Sequence, residues 1–409
     1  GGSGNTASGG NSTISGGATN QATYSGSTVG GGYGNTASGG SSSIGGGVGN
    51  QASANNTTVS GGSSNNASYV NSTIAGGISN TASGGNSTVS GGGGNGATGG
   101  NATIGGGANN TASGSYSTVS GGASNTASQY AYGYTTIGGG LNNTNVGDYS
   151  TIGGGSGNNV SDYSSTISGG DTNIASGRDS SVGGGQGNTA SGVISTVSGG
   201  LSNTASALTS TIGGGNYNQA SGIKSTIGGG DSNIANQLRA TVGGGEQNSA
   251  SGYDASTVSG GLNNTASGLQ STIGGGANNQ ATSSNSFVGG GQLNTASGLR
   301  STIGSGQSNI ASGGYSTISG GGYNTASSDF ATVGGGQGNR ASGYASSILG
   351  GQQNTTLTFA NSHIVGSNIT ADRSDCTFVE NLSIKSIPTS AVGLPSGSLW
   401  SNAGVINIV

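Results

Sequence analysis

The chain has 409 residues, of which 95 are glycine, 28% are hydrophobic and 4% are charged, with a formal net charge of −4. No basic field exists to neutralise phosphates, which excludes nucleic acid as a partner. A single cysteine, Cys376, excludes an internal disulfide, and no apolar run reaches the length of a membrane span, so no membrane insertion is expected. Low charge and two prolines also separate the chain from ordinary disordered, Gly/Ser-rich sequence.

The N-terminal stretch Asn5–Thr19, "NTASGGNSTISGGAT", is one unit of a repeat. The aliphatic residue of an S-T-[IV]-[GS]-G motif recurs at Ile14, Val29, Ile44, Val59, Ile74, Val89, Ile104 and Val119, and continues to Ile364. The spacing is fifteen residues, except for a step of eighteen before Ile137 and steps of sixteen before Val258 and Ile364. In phase with it runs Asn5, Asn20, Asn35, Asn50, Asn65, Asn80, Asn95, Asn110, Asn125, Asn143, Asn158, Asn173 and Asn188, and the same asparagine recurs without substitution to Asn354.

Each coil reads as two short strands, S-T-[IV]-[GS]-G and N-[TQ]-A-S, joined by Gly-rich turns. Alternation puts Ile14 and Ala7 inside and Thr13 and Ser8 outside. Glycines supply the positive φ of the turns. The predicted fold is all-β: a two-sided parallel β-solenoid of about 24 coils over residues 1–366, with a small C-terminal β cap over 367–409. At ~4.8 Å per coil, the coils would make a rod on the order of 110–120 Å long. The fixed asparagines are read as a structural ladder, amide bonded to amide from coil to coil. So little apolar surface per coil favours covering a second face with another chain, so a homo-oligomer is expected. The first coil is already in phase, which predicts an open strand edge meeting upstream residues or another subunit.

The [ST]-[IV]-x-G-G-x-x-N-x-A-S-G pattern resembles the head repeats of YadA-like trimeric autotransporter adhesins, roughly S-V-A-I-G-x-x-S-x-A-x-G, and similar repeats in bacteriophage and large-virus fibre proteins. The resemblance covers about residues 1–366. It implies a left-handed parallel β-roll and assembly as a trimer; the open first edge is what makes a stacked filament the other expected form. This chain departs from the pattern in carrying one aliphatic per coil rather than two, and a period of fifteen rather than the common fourteen.

Toward the C-terminus, "CTFVENLSIKSIP" alternates like a strand. "GLPSGSLWSNAGVINIV" reads as a turn, a strand over 398–400, an Asn-Ala-Gly turn and a closing strand, similar to C-terminal segments of phage and algal-virus structural proteins. Phe378 and Trp400 are the expected cap residues.

Catalytic and metal chemistry finds few residues to work with. His363 is the sole histidine and replaces an outward threonine; zinc clusters, the Asp-containing calcium repeat and the phosphate loop are all absent from the sequence. The reading is of a non-enzymatic chain without cofactor. It would be a rigid fibre or adhesin on a cell or virion surface, contacting a glycan or receptor through exposed Tyr24, Tyr33, Tyr116, Tyr149, Tyr217 and Tyr253. The alternative is ice binding by the Thr/Ser row, which is unbroken except at Phe287 and His363. Sequons at Asn11, Asn71, Asn101 and Asn381 are candidate glycosylation sites.

Overall fold

The computed structural model describes residues 1–129, 131–402 and 404–409. The parallel β-solenoid that the period predicts is the observed fold: the described residues hold strands, bridges and turns and no helix. The chain forms two compact units, Gly1–Asn285 and Ser286–Val409.

In the first unit the coil Asn65–Ser79 shows the plan. Asn66–Ala67 and Thr73–Ile74 are two-residue strands, each in parallel register with the coils before and after it: Thr73 pairs Thr58 and Thr88, and Ala67 pairs Ala52 and Ala82. Strands this short suit a coil that must turn within a few residues. A third contact row, absent from the expected plan, consists of single-residue bridges through Ser63, Ile78 and Gly93.

Three left-handed positions bend each coil. In this one they are Asn71 (φ 60°), Gly77 (φ 93°) and Ser79 (φ 56°). Two of the three are held by residues with side chains, so glycine is not the general solution to the turn. The reversal of the backbone there has a use. Strand amides such as Thr73 N–H donate to the following coil (Ser87 O, 2.9 Å), whereas Asn71 and Ser79 donate to the preceding one (Asn55 O, 3.0 Å; Ser63 O, 2.9 Å).

Four side chains per coil face inward: Asn65, Ala67, Ser72 and Ile74 are all inaccessible to solvent. The inward serine is not among the expected core positions. Its hydroxyl folds back on the turn, donating to the carbonyl of Tyr69 at 2.7 Å and accepting from the Tyr69 N–H at 3.4 Å. A core of one Ile or Val, one Ala, one Ser and one Asn is narrow, which is why two strands suffice to enclose it. The first coil has a neighbour on one side, and there Ala7 is exposed and Ile14 and Asn5 are half-buried.

The second unit repeats this plan from Phe287–Val288 to Ser347–Ile348. Parallel pairing then continues through His363–Val365 to Thr377–Val379, where Phe378 lies beside Ile364, half-buried. Trp400 lies elsewhere, in an antiparallel pair of Leu399–Asn402 with Val405–Ile408, opposite Asn407. The two expected cap residues therefore belong to different sheets. The expected Asn-Ala-Gly turn includes Ala403, which lies outside the described residues; Gly404 beside it has φ 86°.

Candidate functional site

The buried asparagines and the exposed corners are two different ladders. At Asn80, Oδ1 accepts the backbone N–H of Asn95 (3.0 Å), while Nδ2 donates to Gly76 O, four residues earlier (2.9 Å), and to Gly92 O, twelve residues later (3.0 Å). The same set recurs at Asn20, Asn35, Asn50, Asn65, Asn95, Asn110, Asn125, Asn143, Asn158, Asn173 and Asn188, all buried. The amide thus bridges side chain to backbone. Direct amide-to-amide bonds are confined to some coils, for example Asn35 to Asn20 at 3.1 Å. Each asparagine satisfies groups on two coils without using surface, so this row is frame.

The corner before each Ser-Thr-[IV] is the opposite case: left-handed and exposed. Asparagine tolerates that backbone, and Asn56, Asn71, Asn86 and Asn101 occupy it in succession, with Nδ2-to-Oδ1 bonds of 3.2, 3.0 and 3.3 Å between consecutive members. At this corner the amide-to-amide bond runs through three successive steps, whereas in the buried row it joins separate pairs and short runs. The candidate glycosylation sites Asn11, Asn71 and Asn101 sit at this corner, exposed; Asn381 is exposed in the second unit.

Higher in the first unit the corner turns aromatic. Tyr116, Tyr134 and Tyr149 hold φ of 56°, 62° and 56°. Their rings stack at 4.7 Å and 2°, then 5.1 Å and 12°, distances that follow from the ~4.8 Å pitch of parallel strands. Tyr163, one position earlier on its coil, tilts at 57° against Tyr149 (5.2 Å), and the Arg178 guanidinium sits 5.5 Å from its centroid. Arg178 also pairs with Asp179 at 3.2 Å. The second unit has its own column, with Arg300 over Tyr315, then Phe330 and Tyr344.

The Tyr149 hydroxyl is held above its ordinary pKa, first by partial desolvation and then by Tyr163, Tyr134, Asp148 and Tyr132. A raised folded-state value means that the folded chain holds the proton more tightly than the unfolded one. The contribution is whole below about pH 10 and is lost as pH rises past it. A tyrosinate absorbance titration is expected to show a late-ionising group that Tyr149→Phe removes.

Beside this column lies a cleft of about 530 Å³, lined by Ala131, Tyr132, Gly147, Asp148, Ser161, Asp162 and Tyr163. It lies at the eighteen-residue step, beside the loop that carries Ala131 and Tyr132 before the corner residue Tyr134. Asp148, 5% exposed, holds that loop, its Oδ2 accepting Ala131 N–H (3.0 Å) and its Oδ1 accepting Gly133 N–H (2.8 Å). Below it the core is adjusted: Asn145 takes the place of the usual alanine, donates to Thr136 O and Ser150 O (3.1 Å each), and accepts from the Ser150 hydroxyl.

Of the tyrosines singled out in the sequence, Tyr116 and Tyr149 join the column. Tyr24, Tyr33, Tyr217 and Tyr253 stand exposed in other coils. Tyr132, Tyr134 and Tyr163 are not among the expected contacts, although their crowding around the long coil was a visible signal. In the second unit, His363 Nδ1 lies 2.7 Å from the Ser347 hydroxyl, exposed. Among the described residues, no three His, Cys, Asp or Glu side chains converge as a metal site, and no helix is long and apolar enough to cross a membrane.

A family model described as the ubiquitous surface protein adhesin repeat matches residues 165–177. The matched stretch, S-T-I-S-G-G-D-T-N-I-A-S-G, contains the aliphatic strand, the Gly-Gly turn, the frame asparagine Asn173 and the alanine strand of this solenoid, and it begins two residues after Tyr163. No curated protein matches the chain. The chain carries an adhesin-type repeat on a parallel β-solenoid.

Proposed function

We propose that this chain is a surface-displayed, non-enzymatic structural rod of the adhesin type, and that it makes its contacts through the left-handed corners. The carrying observation is the division of each coil into a buried frame with the same asparagine in every coil and an exposed corner whose chemistry varies freely, with a run of asparagine at 56–101, a run of tyrosine at 116–149 and then polar, apolar and charged residues such as Asp179, Ile194, Thr209 and Lys224. A frame that tolerates any corner residue is a scaffold for presentation. The matched adhesin repeat supports the same reading.

Self-association belongs to the proposal. Exposed apolar side chains, including Tyr33, Val48 and Ile78 along the bridge row, give copies a surface to share, as a trimer or a stacked filament. Sedimentation velocity is expected to give three times the 38.1 kDa chain mass, or a polydisperse filament. A stable folded monomer, together with failure of antibodies to label intact cells or particles that carry the chain, would remove the reading. Glycosylation at Asn11, Asn71, Asn101 or Asn381 would show as intact mass above 38.1 kDa.

One observation favours a second reading, ice binding. The outward Thr/Ser residues lie in exact parallel register, for example Thr58, Thr73, Thr88 and Thr103, forming a continuous hydroxyl row. Thermal hysteresis in solutions of the chain decides between the two.

A further inference from the structure

We propose that the stacked tyrosines Tyr116, Tyr134 and Tyr149 are a site of oxidative cross-linking, at which a one-electron oxidant driven by hydrogen peroxide joins neighbouring rings of one chain by carbon–carbon bonds. The inference is independent of the adhesive reading, since it needs only the column itself.

Coupling of two phenols requires that they be close, held in place and open to an oxidant. Tyr134 lies between Tyr116 and Tyr149, with centroids at 4.7 and 5.1 Å and planes 2° and 12° apart. Rings stacked so nearly parallel bring the carbons ortho to one hydroxyl alongside those of the next ring. The backbone holds them there: Tyr134 N–H donates to Ser115 O (2.9 Å), and Tyr149 N–H donates to Gly133 O (3.0 Å). The three side chains are 50%, 46% and 47% exposed, so their edges stand in solvent. An electron leaves through such an edge, and the ring that each radical must meet is already beside it.

The chemistry uses no protein group beyond the phenols. Each of two tyrosines gives up one electron and one proton. One hydrogen peroxide takes up both electrons and both protons and becomes two waters. The two phenoxyl radicals then join through their ortho carbons. The hydrogen on each joined carbon moves to its own oxygen, which restores both phenols in a biphenyl that has lost two hydrogens in all.

Position gives the bond a use. Tyr116 and Tyr134 flank the eighteen-residue step, where the fifteen-residue register is interrupted. A bond between them ties the irregular coil to the one before it, and a bond from Tyr134 to Tyr149 ties it to the one after. Either bond shortens the chain that an opened coil can explore and so favours the closed state. The column of the second unit is blocked by comparison: Phe330 stands between Tyr315 and Tyr344 and has no phenol to oxidise. Among the described residues, tyrosine stacks on tyrosine without such a break only in the column from Tyr116 to Tyr163.

The test treats the intact chain, at low concentration, with a haem peroxidase and hydrogen peroxide. The expected result is the blue fluorescence of the biphenyl in a chain that runs as a monomer on a reducing gel and whose intact mass has lost two hydrogens per bond. Digestion and mass spectrometry should join the peptides that carry Tyr116 and Tyr134, or Tyr134 and Tyr149. Tyr134→Phe keeps a ring in the stack but removes the central phenol, so most of the fluorescence should be lost. Its far-UV circular dichroism should match the parent, because only a hydroxyl is removed. Tyr217→Phe, at a tyrosine outside the column, should change nothing. Phe330→Tyr should gain a new linkage in the second unit, joining position 330 to Tyr315. The proposal is overturned if peptide mapping of the oxidised parent finds no linkage among Tyr116, Tyr134 and Tyr149, or if the biphenyl occurs only in covalent dimers. Unchanged fluorescence in Tyr134→Phe, or no gain in Phe330→Tyr, would equally overturn it, since stacking would then not select the site.

Discussion

Gly77→Ala is expected to break the stack around its coil, whereas Gly76→Ala, one residue earlier, leaves stability unchanged. A Cβ at Gly77 would lie 2.1 Å from Gly92 O and 2.5 Å from Asn80 Nδ2, on a backbone at φ 93° that side chains rarely adopt. The atoms it would meet are backbone of the next coil and the frame asparagine, neither of which has room to retreat. The change should cost about 4 kcal/mol or more. A Cβ at Gly76 meets nothing within 4 Å, and that residue is outside the left-handed region, so its replacement should stay within about 0.5 kcal/mol. Amide hydrogen exchange of residues 60–95 separates the two: loss of protection for Gly77→Ala, none for Gly76→Ala. Equal behaviour of the pair would refute the close-approach account of the Gly-Gly turn.

The second large effect is at Asn80. Asn80→Ala removes one acceptor and two donated bonds. Gly92 O keeps a second donor, Ile78 N–H at 2.9 Å, so the groups left unpaired are Asn95 N–H and Gly76 O. Asn95 N–H is buried and Gly76 O half-buried, so at about 1–3 kcal/mol for a buried unpaired group, and less for the half-buried one, the loss is about 2–4 kcal/mol once the small void is included. Asn80→Asp should be worse at neutral pH despite its matching shape. One carboxylate oxygen can still accept from Asn95 N–H, but the other faces two glycine carbonyls and carries charge into a buried site. The carboxyl would be held above its usual range, so its protonated form favours the fold. Stability of Asn80→Asp should therefore be highest below about pH 4 and fall as pH rises. Thermal melts of the parent, Ala and Asp chains at pH 3 and pH 7 check this; an Asp variant that matches Ala at both pH values would contradict the donor role of Nδ2.

The fold was legible because two positions per coil, the aliphatic and the asparagine, recur in phase and because Ala–Ile alternation fixes which side faces in. The serine layer was less visible, yet its signal exists: the position is Ala at 102, 240 and 331, small and apolar as an inward site requires. The surface ladders needed the coils to be aligned in columns, where Asn56, Asn71, Asn86 and Asn101, and then Tyr116, Tyr134 and Tyr149, become runs. Reading along the chain hides them behind fifteen intervening residues. The cleft was illegible in shape, since the step of eighteen tells that residues are added but not that Asp148 turns its carboxylate onto their amides. The placement of Phe378 and Trp400 in separate sheets was equally hidden, because apolar density alone does not choose a partner.

The like-with-like corners carry a consequence for how such a chain changes over generations. Duplicating one fifteen-residue segment of the gene sets every side chain of the new coil directly over its own copy. An asparagine then meets an asparagine that can bond it, and a tyrosine meets a ring at stacking distance. The newborn coil arrives with its surface contacts already matched, and losing one rejoins two neighbours of the same kind. Unequal recombination can therefore lengthen or shorten the molecule in steps of about 4.8 Å with little selective penalty, while later point mutation at the corners diversifies what the added length displays.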